Sequence, residues 1–308
     1  MASFKSIAIV GATGNVGEAV LPALLKASFE TTVITRSTSN ATFPTGVRVV
    51  KTEYTLEHLT EALRGQDAVV CLISASALDL ESVIVDSAAA AGVKWFIPSE
   101  FGHDTTDKRL LSLLPVLERK TRITAQLDSK AAEGLHWTAI VTGLFLDWGL
   151  ARGIFEFDIA KRTARIWDDG NTKFRTTNTD DIATAVVTLL SDPVVREKVK
   201  NSHVHISTVN TTQNDILAEL EKATAAKFTI SKVTSSSVKE SALKKLQAGD
   251  LTAILPLLQY IAWGEDGYSQ WDAKAGHGNA LLLTGPKRTL QETVADVVKQ
   301  SSLGGTKV

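Results

Sequence analysis

The feature that most constrains this 308-residue chain is a glycine spacing set between a strand and a helix near its beginning, IAIVGATGNVGEAV (7–20). An apolar, β-branched run leads into Gly11, Gly14 and Gly17, and a helix-forming segment follows. Gly11 permits a tight turn, Gly14 lets backbone amides approach an anion, and Gly17 lets the helix pack closely on the strand. With Thr13, Asn15 and Val16 between them, these residues are predicted to cradle a dinucleotide pyrophosphate at the helix N-terminus. A glycine-rich turn with no ligand is the plain alternative. The strand before and the helix after argue against it.

Further apolar runs continue the pattern: TTVIT (31–35), VRVV (47–50), AVVCLI (68–73), KWFIP (94–98) and WTAIVT (137–142). Helical segments lie between them, including ESVIVDSAAAAG and a long one over Pro115–Glu133. Strands that are apolar throughout are buried on both faces, which requires a parallel sheet with helices on each side. The expectation is a doubly wound, mostly parallel Rossmann-type α/β fold, with a dinucleotide-binding domain over 1–150 and a smaller C-terminal substrate-binding region over 151–308. In that region IFEFDIAKRTARIWDDGNTKF reads as irregular or short strands. HVHIS (203–207) reads as a strand able to rejoin the main sheet, and DDIATAVVTLLSD as a helix capped by Asp180 or Asp181. The tail SSLGGTKV is expected to fray.

A net charge of −1 leaves no global field favouring nucleic acid or an anionic membrane. No apolar run approaches the length of a membrane span, and the chain runs from MASFKS straight into a strand with no secretory pattern. The single cysteine, Cys71, lies in an apolar run and fits a reducing compartment. A cytoplasmic protein is expected. The spacing of His203 and His205 puts both on one face of their strand, but no further ligand stands at metal spacing. No particular oligomer is indicated.

The end of the second strand discriminates between NAD and NADP. An acid there binds the ribose 2′-hydroxyl, whereas an arginine accommodates a 2′-phosphate. Here Arg36 stands in TTVITRSTSN with no acid nearby, and Ser37 and Thr38 follow it. NADPH is the expected cofactor.

The commoner short-chain dehydrogenases use a tyrosine with a lysine four residues later. The residues four beyond Tyr54, Tyr260 and Tyr268 are His58, Gly264 and Asp272, so that dyad is absent. Another group must handle the proton. On a helical wheel Leu113, Val116, Leu117, Ile123, Leu127 and Ala131 form one stripe, and Lys120 falls at its centre. A lysine so placed either snorkels to the surface or points into a site, where partial desolvation would make it a usable proton donor or acceptor.

The chain resembles the isoflavone-reductase-like group of the NmrA-like, atypical short-chain dehydrogenase family. VGATGNVG (10–17), VITRS (33–37), GVKWFIPSEFG (92–102), the Lys120 helix, EGLHWTAIVTGLF (133–145) and DDGNTKFRTTNTDDIA (168–183) carry the likeness, and the Pro-Ser-Glu-Phe-Gly segment is the most distinctive. The resemblance implies an NADPH-dependent reductase of secondary metabolism acting on a small aromatic or conjugated compound, with Lys120 as general acid/base. It implies a nicotinamide near Ser99, Glu100 and Phe101, with Thr142–Phe145 on a neighbouring strand end. His103 is either a substrate contact or a surface loop residue. Phe145, Trp148, Phe155 and Trp263 are candidates for an aromatic wall. A different possibility is a non-catalytic, NADP-sensing regulator with a protein partner. Such proteins generally lack the lysine.

Overall fold

The computed structural model describes residues 3–74 and 77–302, so residues 303–308 of the expected frayed tail lie outside it. Six strands follow in order: β1 (Ser6–Val10), β2 (Glu30–Arg36), β3 (Arg48–Thr52), β4 (Ala68–Cys71), β5 (Trp95–Ile97) and β6 (His136–Val141). A seventh, Ser202–His205, pairs in parallel with β6. Across the sheet the order is Ser202–His205, β6, β5, β4, β1, β2, β3, and every pairing is parallel. The strand order reverses between β1 and β4, which opens a crevice at the carboxyl end of the sheet where ligands of such folds bind.

The continuous apolar character of the strands is explained by a layer on each face. On one face, Val20, Leu21 and Leu24 of the helix Gly17–Lys26 pack with Ile182, Val186 and Leu189 of the helix Thr179–Ser191. On the other, Leu59, Leu63, Ile84, Val85, Ile123 and Leu127 come from helices 56–63, 78–90 and 118–130. Residues 179–205, although late in the sequence, therefore belong to the layers of the main sheet.

A second core lies beyond the carboxyl edge. It gathers two three-stranded sheets around buried aromatics, with Phe155 stacked on Phe174 at 6.0 Å and on Trp263 at 5.6 Å. The stretch 154–174, read as irregular or short strands, contains the strands Phe157–Asp158 and Thr163–Trp167 and the start of a third, Phe174–Thr177. Helices Gln213–Thr224, Ser235–Gln247, Ile254–Trp263 and Leu290–Ser302 surround them. Among the described residues no helix is long and apolar enough to cross a membrane.

Two local expectations need correction. The helix 179–191 starts after Asn178, and neither Asp180 nor Asp181 caps it; both lie in its first turn. Its first N–H is instead met from outside, because the Asp147 carboxylate accepts from the Thr179 amide at 3.0 Å and from its hydroxyl at 2.7 Å. The long segment 115–133 is a helix over Glu118–Lys130 flanked by 3₁₀ turns, while Leu113 belongs to a separate helix, Lys108–Leu113. Pro115 and the extended backbone of Leu114 interrupt the two.

Phe155 is fully buried between two aromatic partners. Phe155→Ala is expected to cost about 3–5 kcal/mol in denaturant unfolding. A loss below 1 kcal/mol would show that this cluster does not hold the C-terminal region together.

Candidate functional site

The glycine loop is shaped by steric necessity. Gly11 has φ +87°, and a side chain there would collide with the Leu72 carbonyl at the end of β4. A side chain at Gly17 would strike the backbone of Gly11 and Ala12. Val16 occupies the N-cap position without any side-chain cap, and among the described residues the backbone N–H groups of Asn15, Val16 and Gly17 meet no acceptor within the chain. These unpaired donors at a helix N-terminus make an anion cradle. The side chains of the loop part company. Thr13 is exposed beside the cradle, Val16 is buried in the core, and Asn15 faces a neighbouring cleft with Trp148 and Arg288.

From the loop a cleft of about 450 Å³ runs along the ends of β1, β2 and β4, lined by Gly14, Arg36, Phe43, Tyr54, Ile73 and Leu80 among others. Arg36 stands exposed at its rim. The Tyr54 hydroxyl donates to the Ile34 carbonyl at 3.3 Å, and burial pushes its phenol up to about 12, so it stays neutral. The expectation of no acid near Arg36 is corrected here. The Ser37 hydroxyl donates to Glu53, which arrives from the residue after β3. Sequence distance hid it, since parallel pairing places Arg36 beside Thr52. That contact also occupies the Ser37 hydroxyl.

A second cavity, of about 310 Å³, opens past the ends of β5 and β6. Phe101, Gly102 and His103 come from the loop after β5, and Gly143, Leu144 and Phe145 from the end of β6. Trp148, Ile154, Leu255 and Leu258 reach in from the C-terminal region, and Leu117 and Lys120 from the intervening helix and its leading turn. The stripe around Lys120 is real in a different sense from that read on the wheel. Leu113, Val116 and Leu117 pack on the C-terminal core, whereas Ile123 and Leu127 pack on the sheet core. Lys120 sits at the seam between the two. Its ammonium group donates to the Glu100 carbonyl, which fixes its direction and leaves two N–H bonds for other acceptors.

Few polar atoms interrupt this lining. His103 is buried, and burial, reinforced by the nearby Lys120 charge and opposed by a hydrogen bond with the Leu258 backbone, lowers it to about 4. It is a neutral imidazole at ordinary pH. The buried His103 Nε2 and Trp148 Nε1 have no partner among the described residues, an arrangement that a bound molecule would satisfy. Phe145 stands edge-on to Trp148 at 6.3 Å. Phe155 and Trp263, candidates for the same wall, are corrected to core residues. The loop is tied down from behind by Asp104, which accepts from His205 Nε2 at 2.7 Å and Lys274 Nζ at 2.8 Å. Burial alone would raise the Asp104 carboxyl, but these bonds hold it well below the usual carboxylate range.

Ser99 and Glu100 form a tight turn rather than an open surface. The Ser99 hydroxyl donates to the Ile73 carbonyl at 2.6 Å, and the Glu100 carboxylate faces away, accepting from the Thr105 hydroxyl. The Ser99 amide donates at 2.7 Å to Glu81, a buried carboxylate the sequence reading passed over. Its signal was available, because Glu81 precedes Ile84 and Val85 on the buried face of its helix.

The profile of the NmrA-like family matches residues 3–261 of this chain. The oxidoreductase aprR of Aspergillus flavus is 32% identical over 95% of this chain and 98% of its own length. The isoflavone reductase homolog IRL of Zea mays is 29% identical over 74% of this chain and 77% of its own. Among solved structures, AtPrR2 with NADP+ and (+)pinoresinol superposes with a TM-score of 0.79 at 20% identity, covering 96% of this chain and 100% of that one.

The buried Glu81 generates a stability prediction. Its carboxyl is raised by burial from 4.5 to about 7. The folded state therefore holds a proton that the unfolded chain releases between these values, so this group lowers stability as pH rises from 4.5 through 7. Glu81→Gln removes the titration. Relative to wild type, the variant should gain about 3 kcal/mol between pH 4 and pH 8 in chemical unfolding. A constant difference across that range would refute the assignment.

Proposed function

This chain belongs to the NmrA-like family and is an oxidoreductase of its isoflavone-reductase-like branch; we propose that it uses NADPH to reduce a small aromatic or conjugated substrate, with Lys120 as general acid/base. The observation that carries the reading is the position of Lys120. It is the one cationic side chain among the lining residues of an otherwise apolar cavity beside the dinucleotide crevice. The residues fit the cofactor: unpaired amides at 15–17 face a pyrophosphate, the glycine cradle leaves it room, and Arg36 offers charge for the 2′-phosphate. Relatives named as oxidoreductases and a structural neighbour holding NADP+ support the same choice.

In this reading the nicotinamide supplies hydride when bound. Everything else falls to the chain. The walls Phe101, Phe145, Trp148 and Leu258 hold an apolar ring system and exclude water, while the Glu100 carbonyl aims Lys120 at the reacting oxygen. Lys120 gives a proton to the anion formed by reduction, or first takes one from a phenolic hydroxyl. Holding both reactants in register supplies much of the rate. His103 and Trp148 bring hydrogen-bonding atoms to a substrate oxygen. A cytosolic setting accords with Cys71, a buried free thiol.

Lys120→Met is expected to leave NADPH affinity unchanged, followed by nicotinamide fluorescence. It should cut NADPH oxidation at least about 100-fold across a panel of aromatic enones, quinones and benzylic ethers. Equal turnover in the variant would remove Lys120 from the mechanism. A wild type that binds NADPH yet consumes none across the panel would favour a dinucleotide-sensing regulator. Arg36→Ala should weaken NADPH about tenfold while sparing NADH. Tighter binding of NADH than NADPH by the wild type would overturn the cofactor assignment.

A further inference from the structure

The loop that carries His103 into the cavity is fixed on both sides of that residue. Before it, the Gly102 carbonyl accepts from the Thr142 amide at 3.0 Å and the Gly143 amide at 2.8 Å, at the end of β6. After it comes Asp104, which is buried and not among the residues lining the cavity. Both of its oxygens are engaged. Oδ1 accepts from the Thr106 amide at 3.0 Å and from the Thr106 hydroxyl. Oδ2 accepts from His205 Nε2 at 2.7 Å and from Lys274 Nζ at 2.8 Å.

These last two partners come from different parts of the molecule. His205 ends the strand Ser202–His205 at the edge of the main sheet, and Lys274 lies in the first turn of the helix Asp272–Leu282. The helix is seated tightly on that strand. A side chain at Gly278 would collide with the His205 carbonyl, and the Trp271 ring packs on the His205 imidazole at 5.3 Å. One carboxylate thus joins the cavity loop, the sheet edge and a C-terminal helix.

We propose that Asp104 is the positioning residue for His103: its contacts with His205 and Lys274 hold the loop so that the imidazole stays in the cavity wall, and they tie the shape of the cavity to the seating of the helix Asp272–Leu282. The inference rests on the reading of this cavity as the substrate site. Asp104 acts through the loop and not on a bound molecule.

The residue type fits the task. Four donor contacts converge on two oxygens, and an ionised carboxylate accepts on both. The carboxyl is held well below the usual range, so the hydrogen in the contact with His205 sits on the imidazole. An asparagine would have to turn its NH2 group toward one pair of donors. Slack in this anchor is felt one residue away, at His103, whose Nε2 has no partner among the described residues. The groups that act on His103 besides burial are the Leu258 backbone and the Lys120 charge.

The test reads the loop without a substrate. NMR of the imidazole carbons in the histidine-labelled full chain, with His103 assigned by His103→Gln, follows its protonation against pH. In wild type, burial should keep His103 neutral down to about 4. Asp104→Asn keeps the shape and removes the charge. With the anchor loosened, His103 should reach solvent and titrate nearer its ordinary 6.5. The direction is diagnostic, since loss of a nearby negative charge alone would lower a histidine. The same variant should raise KM across the substrate panel about tenfold, with NADPH affinity unchanged. A His103 titration that stays near 4 or falls overturns the proposal. Should Asp104→Asn fail to fold, Lys274→Met serves, because that side chain is 55% exposed. Amide exchange over 102–106 should then quicken about tenfold, and unchanged exchange overturns the proposal equally. A His103 shift in a protein that turns over none of the panel would uphold the anchor and defeat the substrate reading, so the two failures are distinguishable.

Discussion

The Leu72 carbonyl lies where a side chain at position 11 would have to be. This contact between the end of β1 and the end of β4 lets the two central strands meet without a gap at the point where the sheet reverses its order. The helix 17–26 can then start immediately, with its first amides unpaired among the described residues. A Cβ at residue 11 or 17 would push the loop off the sheet and close the anion cradle. The dinucleotide crevice and everything aligned against it follow from two positions at which only hydrogen fits.

The second part of the site depends on a seam. The chain between β5 and β6 is divided by Leu114 and Pro115 into two helices that serve different cores. Lys120 emerges where these cores part, beside a cavity lined by Leu144, Ile154 and Leu258 of the C-terminal core and by Phe101 and Phe145, which pack on the other face of the sheet. The surrounding loop is held by buried polar contacts: Asp104 to His205 and Lys274, Ser99 to Ile73 and Glu81, Glu100 to Thr105. Such bonds confer rigidity where apolar packing ends.

Much of the architecture was legible in the chain because periodicity is a local property. Continuous β-branched runs announce strands covered on both faces, and the glycine spacing announces the turn at the end of the first. Other features were illegible for reasons equally physical. Glu53 reaches Ser37 only through the parallel pairing of β2 with β3. Asp147 caps a helix that begins 32 residues later. Phe155 and Trp263 look like pocket aromatics as readily as Phe145 and Trp148 do, and only the packing of the C-terminal sheets separates them.

The sequence by itself determined the parallel α/β sheet, the glycine loop at Gly11–Gly17 and the candidacy of Lys120, since each depends on residues close together in the chain. The tertiary structure alone decided where that lysine points, which aromatics surround it, and that the buried Glu81 holds the Ser99 amide of the adjoining turn. Those facts arise from segments as distant as 81, 100, 120, 148 and 258, brought together by burial of two separate cores. No local pattern encodes a cavity, because a cavity is the place where packing stops.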